Sequence, residues 1–289
     1  MATFRGLTKA AIFGIFWLPG SCVIQAADHR AKFDTKPLDI RVQSSGFGRA
    51  SSGDITTVLQ FAGSELWRHC PRIHLDGIDV YHRIDHPQTN FKRTASGRIA
   101  IGLACQNTNW AQYSFQFAHE FCHALANFSN RPRQLVRYPF TVNLWLEESL
   151  CETASLFALR AMSRSWQTAP PYPSWRDYAP WLNVYAEQRL ALPEHHLSPG
   201  TPFLVWFREN QSALRQNPAL RDRDTIIAIR LLPIFESDPR GWEALAFLNR
   251  DSSNPNKSLA EHFGEWRSRC PQDLRPFVTR LAAVFAVKL

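Results

Sequence analysis

The sequence predicts an α+β fold, with a front half that mixes short strands and helices and an all-helical back half. Three observations predict it. A compact apolar strand pattern at 98–104 follows a Ser-Gly turn. Two long helical patterns come after it, and a proline-rich break at 169–173 separates them from further helical patterns that reach the C-terminus. Strands and helices that segregate along the chain are typical of α+β proteins.

Composition places the chain among folded proteins. Its 289 residues are 45% hydrophobic, 12% aromatic and 20% charged, with a formal net charge of +8. These values exclude a disordered chain and allow one substantial core or two smaller ones. The positive charge suits association with an anionic envelope or membrane surface, although ordinary solvated charge is the preferred explanation. Nucleic acid is not an expected partner, because no basic run with interleaved aromatics occurs.

Residues 1–26 have the order of charge and hydropathy that is typical of a secretory signal peptide. A basic start precedes the apolar stretch 10–18, and Ala26 offers a small residue for cleavage. We therefore expect an exported protein, either periplasmic or secreted. Lipid anchoring at Cys22 is disfavoured, because Pro19 stands where a lipoprotein signal has leucine.

The cysteines leave two alternatives open. Without residues 1–26 the number of cysteines is odd, so at least one thiol stays free or pairs with another molecule. No C-x-x-C pair is present, which argues against a cysteine-ligated zinc ribbon. Cys122 and Cys151 lie in the two segments that carry the candidate metal ligands. They could form a disulfide there, or they could be two small buried apolar side chains.

The first predicted domain after the signal peptide spans residues 27–165. Asp54 is the expected N-cap of its first helix, which reaches Trp67. Short alternating runs at 73–83, around an Asp-Gly pair, predict a β-hairpin. The strand at 98–104 follows.

Two long helices and a helical subdomain complete the chain. Asn107 or Asn109 is the expected N-cap of a helix that ends near Phe128, and a second helix starts at Asn143. Residues 166–289 are predicted as a helical C-terminal subdomain. Its helical patterns lie near 178–191, 201–215, 222–236, 239–248, 257–268 and 272–287.

The first of these long helices contains the motif H-E-x-x-H, formed by His119, Glu120 and His123. On a helix, residues four positions apart point the same way, so the two imidazoles can bind one metal ion. Zinc lowers the pKa of a bound water molecule to roughly 7. Glu120 is then placed to take the proton of that water as a general base.

The next predicted helix carries the run W-L-E-E-S-L at residues 145–150, and Glu152 follows it. Together with H-E-x-x-H, this run resembles the gluzincin metallopeptidases, the clan of thermolysin-like proteases and of the aminopeptidases with a W-L-N-E-G-F run. Glu147 stands for the asparagine of that run and Ser149 for its glycine. The resemblance covers residues 98–160 and implies a zincin-like catalytic core with a small β-sheet and an active-site helix.

The resemblance also implies roles for three acids. Glu148 matches the third ligand of one zinc ion per chain, at a spacing from His123 slightly longer than is typical of the family. Glu147 competes for this role, and Glu148 is favoured because it matches the motif and has a carboxylate, Glu152, one turn later. Glu152 is expected to orient a ligating histidine by accepting its other N–H. It replaces the aspartate that is common in thermolysin-like members.

Members of the clan further supply a Tyr or His that stabilises the oxyanion, and no motif selects it here. The candidates are Tyr138, Tyr178, Tyr185, His195 and His196. His195 and His196 are expected in a surface loop.

The predicted function is zinc-dependent hydrolysis, most simply of peptide bonds in a peptide or protein substrate. The Gly-x-Met-x-Asn motif with which clan aminopeptidases hold the substrate amine is missing from 101–107, so endopeptidase activity is at least as well supported. As edge strands do in this clan, strand 98–104 would pair with an extended substrate. The alternative function is a non-catalytic, metal-stabilised envelope binding or scaffold protein. The sequence predicts no oligomeric state.

Overall fold

The structure, a computed structural model, describes residues 37–90, 92–126, 141–249 and 254–289. The predicted signal peptide, Cys22 and Tyr138 lie outside these ranges. Within them the chain forms four strands and nine α-helices, which confirms the α+β class.

A four-stranded sheet is built from β1 (Ile40–Val42), β2 (Ile78–His82), β3 (Gln88–Asn90) and β4 (Ile99–Leu103). Its order is β1-β2-β4-β3, with β1, β2 and β4 parallel and β3 antiparallel. The strand predicted at 98–104 is confirmed as β4, but its expected edge position is wrong, because β4 pairs on both sides. β3 forms the edge. The sequence pattern does not predict β3, since three residues are too few for an alternation to show.

The hairpin predicted at 73–83 is wrong. Both neighbours of β2 run parallel to it, and parallel strands require long connections rather than tight turns. Gly77, which precedes β2, allows a close approach instead: a Cβ there would lie 1.9 Å from the Arg98 guanidinium. The buried Arg98 side chain pairs with Asp39 and Asp79, and it thereby joins the ends of β1, β2 and β4.

Three helices accompany the sheet: α1 (Ser52–Trp67), α2 (Trp110–Leu125) and α3 (Leu144–Thr168). The N-cap of α1 is Ser51 rather than the predicted Asp54. The Ser51 hydroxyl accepts the Asp54 N–H at 3.0 Å, the usual contact between an N-cap and the third residue of a helix. α2 begins after Asn109, one of its two predicted N-caps.

Beyond α3, the described ranges contain only helices and short 3₁₀ turns. The helices are α4 (Ala179–Leu190), α5 (Phe203–Gln216), α6 (Arg221–Ser237), α7 (Gly241–Ala244), α8 (Leu259–Arg269) and α9 (Arg275–Val284). This part of the chain is helical, as predicted, while the subdomain boundary at residue 165 stays a prediction. None of the helices at the described positions combines the length and apolar character needed to cross a bilayer.

The packing of α2 and α3 positions the candidate site. The two helices lie against each other, and α2 also contacts α1, β3 and β4. α3 contacts α4, α5 and α6 on its other sides. Apart from the partly exposed Gln112, every residue of α2 is buried. Polar side chains between the two helices must therefore find their partners inside the protein.

Candidate metal centre

The candidate site lies where α2 faces α3. His119 and His123 are one turn apart on α2, and their ring centroids are 5.3 Å apart. Glu148 on α3 faces both rings. Its Oε2 lies 3.4 Å from His119 Nε2, and its Oε1 lies 3.5 Å from His123 Nε2. One carboxylate thus spans the Nε2 atoms of both imidazoles, so the three predicted ligand side chains lie together.

Glu147 contacts a different atom of the pair. Its Oε1 lies 2.7 Å from His123 Nδ1, and its Oε2 accepts a hydrogen bond from Asn249 Nδ2 at 2.6 Å. Successive residues of a helix point about 100° apart, so Glu147 and Glu148 reach the two nitrogens of His123 from different directions. Glu148, not Glu147, faces both Nε2 atoms.

Glu152 lies near the other nitrogen of His119. Its Oε2 is 3.8 Å from His119 Nδ1, beyond hydrogen-bond distance, and this buried nitrogen has no hydrogen-bond partner among the described residues. The Oε1 of Glu152 accepts from Thr225 Oγ1 at 3.2 Å and from Arg189 Nη2 at 3.4 Å. The orienting contact predicted for Glu152 is therefore approached but not formed.

Glu120 contacts the edge strand β3. The Thr89 Oγ1 atom on β3 lies 2.8 Å from Glu120 Oε2 and 2.8 Å from the Glu120 backbone oxygen. Both residues are buried. A hydroxyl has one proton to donate, so these two acceptors share it. Thr89 thereby positions the carboxylate of the predicted general base relative to the sheet edge.

The electrostatics of the site favour a cation. Burial alone would lower the pKa of His123, but the facing carboxylates, Glu148 above all, raise it well above its ordinary value. Burial opposes the ionisation of Glu148, yet the facing imidazoles hold its pKa well below its usual range. Burial, and then the charges on Glu148 and Glu152, raise the pKa of the buried Asp224 on α6. A divalent ion can replace the proton that His123 holds among these acids.

The donor set fits zinc. Two imidazole nitrogens and one carboxylate are the protein ligands of a common class of catalytic zinc sites, which keep a fourth position open. Zinc-bound histidines usually donate their second N–H to a carboxylate or carbonyl, as His123 is placed to do with Glu147. The Glu148 side chain is 21% exposed whereas both histidines are buried, so an ion would enter from the side of Glu148.

A thiol also converges on the two histidines. The Sγ of Cys151 and one ring nitrogen each of His119 and His123 all lie within 4.8 Å of one another. Cys122 on α2 is a near neighbour of Cys151, and both are free, buried thiols. Of the two alternatives for this pair, the structure has buried thiols rather than a disulfide. Burial raises the pKa of the Cys151 thiol well above its ordinary value.

The candidates for oxyanion stabilisation have other contacts. The Tyr178 hydroxyl accepts a backbone N–H at the start of α2, and Tyr185 packs against an aromatic ring of the same helix. His195 is buried, with its Nδ1 2.6 Å from a backbone oxygen of α4, so its expected surface position is wrong. His196 is exposed. Tyr138 falls outside the described ranges.

Four residues that contact the predicted set belong to no motif that the sequence displays. Thr89, Arg189, Thr225 and Asn249 lie on separate elements, and each contacts a glutamate of the site. No spacing rule links them to H-E-x-x-H, because their proximity depends on which elements pack together.

The chain matches no protein-family model, and no curated protein or solved structure is significantly similar to it.

Proposed function

We propose that the chain is a zinc-dependent hydrolase of the gluzincin type, most simply a metallopeptidase. His119, His123 and Glu148 are the proposed zinc ligands, and Glu120 is the proposed general base. The observation that carries the proposal is the placement of the Glu148 carboxylate against the Nε2 atoms of both histidines. H-E-x-x-H alone accounts for two donors on one helix, and the third donor comes from a separate helix packed against it.

When bound, zinc would polarise a substrate carbonyl and lower the pKa of a water molecule to roughly 7. The chain's own residues supply the rest. Glu147 holds His123 through Nδ1, and Thr89 holds the Glu120 carboxylate. Glu120 accepts a proton from water and returns it to the leaving amine.

The sheet edge supports a peptide substrate and a zincin-like core. β3 is antiparallel to β4, and it carries Thr89, which contacts Glu120. An extended peptide that pairs with β3 would therefore bring its backbone close to the general base. This moves the proposed substrate-pairing role from residues 98–104 to β3. Export remains part of the proposal, on the strength of residues 1–26, while ordinary solvated charge stays the preferred explanation of the positive net charge.

The substitution Glu120→Gln tests the catalytic proposal. We expect the zinc content to stay unchanged and the cleavage of a peptide library to fall by about 100-fold or more, because general acid–base catalysis contributes roughly 10²–10⁴-fold. Glu187→Gln is the matched control, since Glu187 is an exposed glutamate that pairs with Arg160. Full activity in Glu120→Gln, or no zinc-dependent cleavage by the wild-type chain, would refute the catalytic proposal.

One observation favours the non-catalytic alternative. His119, Glu120 and His123 are only 5%, 3% and 7% exposed, an enclosure that also suits a structural metal site. A metal-stabilised scaffold predicts that zinc raises the unfolding temperature of the wild type and of Glu120→Gln equally. It further predicts that neither protein cleaves any peptide in the library, and that His119→Ala loses the stabilisation by zinc.

A further inference from the structure

Cys151 lies on the inner side of the metal centre. Glu148, Cys151 and Glu152 occupy positions i, i+3 and i+4 of α3, so they share the helix face that meets α2. The Glu148 side chain is 21% exposed, whereas Cys151 is fully buried. The two histidines therefore have a carboxylate on their solvent side and a thiol on their buried side.

The distances allow the thiol to act as a donor. Donor atoms around a tetrahedral zinc ion are roughly 3.5 Å apart, as follows from bonds of about 2.0 Å to nitrogen and 2.3 Å to sulfur. The donor atoms of His119, His123 and Cys151 all lie within 4.8 Å of one another. Side-chain movements of about 1 Å would thus close the set around an ion. Two imidazoles and a thiolate favour zinc and softer ions over magnesium, calcium or manganese.

We propose that Cys151 is a metal donor which, with His119 and His123, forms an inner position for a thiophilic ion. The proposal rests on the proposed function for its two histidine donors, and it adds a ligand that the H-E-x-x-H pattern does not supply. On binding, the Cys151 thiol releases its proton to solvent, and its sulfur binds as the thiolate.

The competing explanation is that Cys151 only fills space between α2 and α3, as buried cysteines commonly do. Packing alone predicts no bond between sulfur and the ion. Cobalt(II) distinguishes the two explanations, because it binds where zinc does and its absorption spectrum depends on its donors. A cobalt–thiolate bond gives a charge-transfer band in the near ultraviolet, whereas nitrogen and oxygen donors give only the weaker visible bands.

The experiment is a Co²⁺ titration of the full chain with its thiols kept reduced. We expect both the visible bands and the thiolate charge-transfer band in the wild type. Cys151→Ser should lose the charge-transfer band and keep visible bands, since His119, His123 and Glu148 remain. Cys105→Ser is the matched control: Cys105 is another buried thiol, outside this site, and its substitution should leave both features unchanged.

The cobalt spectra decide whether Cys151 binds the ion. Visible bands without a charge-transfer band in the wild type overturn this proposal and leave the proposed zinc ligands intact. A charge-transfer band that persists in Cys151→Ser also overturns it, because another cysteine then binds the ion. The absence of every cobalt band contradicts the proposed function, and this proposal with it. If Cys151→Ser fails to fold, Cys122→Ser decides instead: the charge-transfer band should persist in that variant, and its loss overturns the proposal.

Discussion

The substitution Glu147→Gln tests how the imidazole of His123 is held. Both oxygens of Glu147 are engaged, one 2.7 Å from His123 Nδ1 and the other 2.6 Å from Asn249 Nδ2. Glutamine has nearly the same size but only one acceptor oxygen and no charge. It can accept from His123 or from Asn249, not from both. The substitution therefore weakens the support of His123 without removing a proposed zinc ligand.

Two independent magnitudes agree on the size of the effect. A hydrogen bond to a charged group contributes about 1.5–3 kcal/mol. Partners of the second N–H of zinc-bound histidines typically contribute about 10–100-fold in metal affinity. Since a tenfold change is about 1.4 kcal/mol, these ranges overlap. We expect Glu147→Gln to weaken zinc binding by about 10–100-fold. Glu148→Gln should weaken it further, because it removes a proposed ligand.

The assay is a competition for zinc between each variant and a chromophoric chelator at neutral pH. Glu187→Gln, on the exposed surface, serves as the control and should bind zinc as the wild type does. An unchanged affinity in Glu147→Gln would show that the 2.7 Å contact with His123 does not support the site. A larger loss in Glu147→Gln than in Glu148→Gln would show that the ligand is Glu147.

Three further predictions concern the general base, the packing and the pH dependence. Thr89→Val removes the hydroxyl that contacts Glu120. We expect the kcat for peptide cleavage to fall about 10–100-fold with unchanged zinc content, because a hydrogen bond to the Glu120 carboxylate is lost. Thr89→Ser keeps the hydroxyl and should retain activity. An unchanged kcat in Thr89→Val would contradict the positioning role of Thr89. Gly241→Ala places a Cβ 1.9 Å from the Phe277 ring and should lower the free energy of unfolding, measured in urea. The expected loss is about 1–3 kcal/mol, and a variant as stable as the wild type would refute the close contact. Burial lowers the pKa of His262 from 6.5 to about 4, so within this window the unfolded chain binds more protons than the folded one. The free energy of unfolding should therefore decrease as the pH falls from 6.5 to about 4. Urea unfolding at both ends of this window measures the decrease, which should be smaller in His262→Gln.

The parts of the fold that the sequence predicts are those contained in one continuous segment. β4 is a compact apolar run, and the helices of the back half show their own periodicity. The hairpin predicted at 73–83 fails for the opposite reason. An Asp-Gly pair favours a tight turn locally, but β2 pairs with β1 and β4, which come from elsewhere in the chain. Pairing between distant segments overrides local turn preference.

The candidate site divides in the same way. His119, Glu120 and His123 share one helix, so their relative placement follows from helical geometry alone. The position of Glu147 does not follow from helical geometry alone. It depends on which turn of α3 meets His123 and on Asn249, which is 102 positions away in the sequence. Contacts of this kind become visible only when the packing of the elements is known.

The claim that His119, His123 and Glu148 hold zinc is tested most directly by the metal content of the full chain. The chain is stripped with a chelator, dialysed against zinc and then against metal-free buffer, and analysed by plasma mass spectrometry. We predict one zinc ion per chain, with a marked loss in Glu148→Gln and none in Glu187→Gln. A wild-type chain that retains no zinc would contradict the claim.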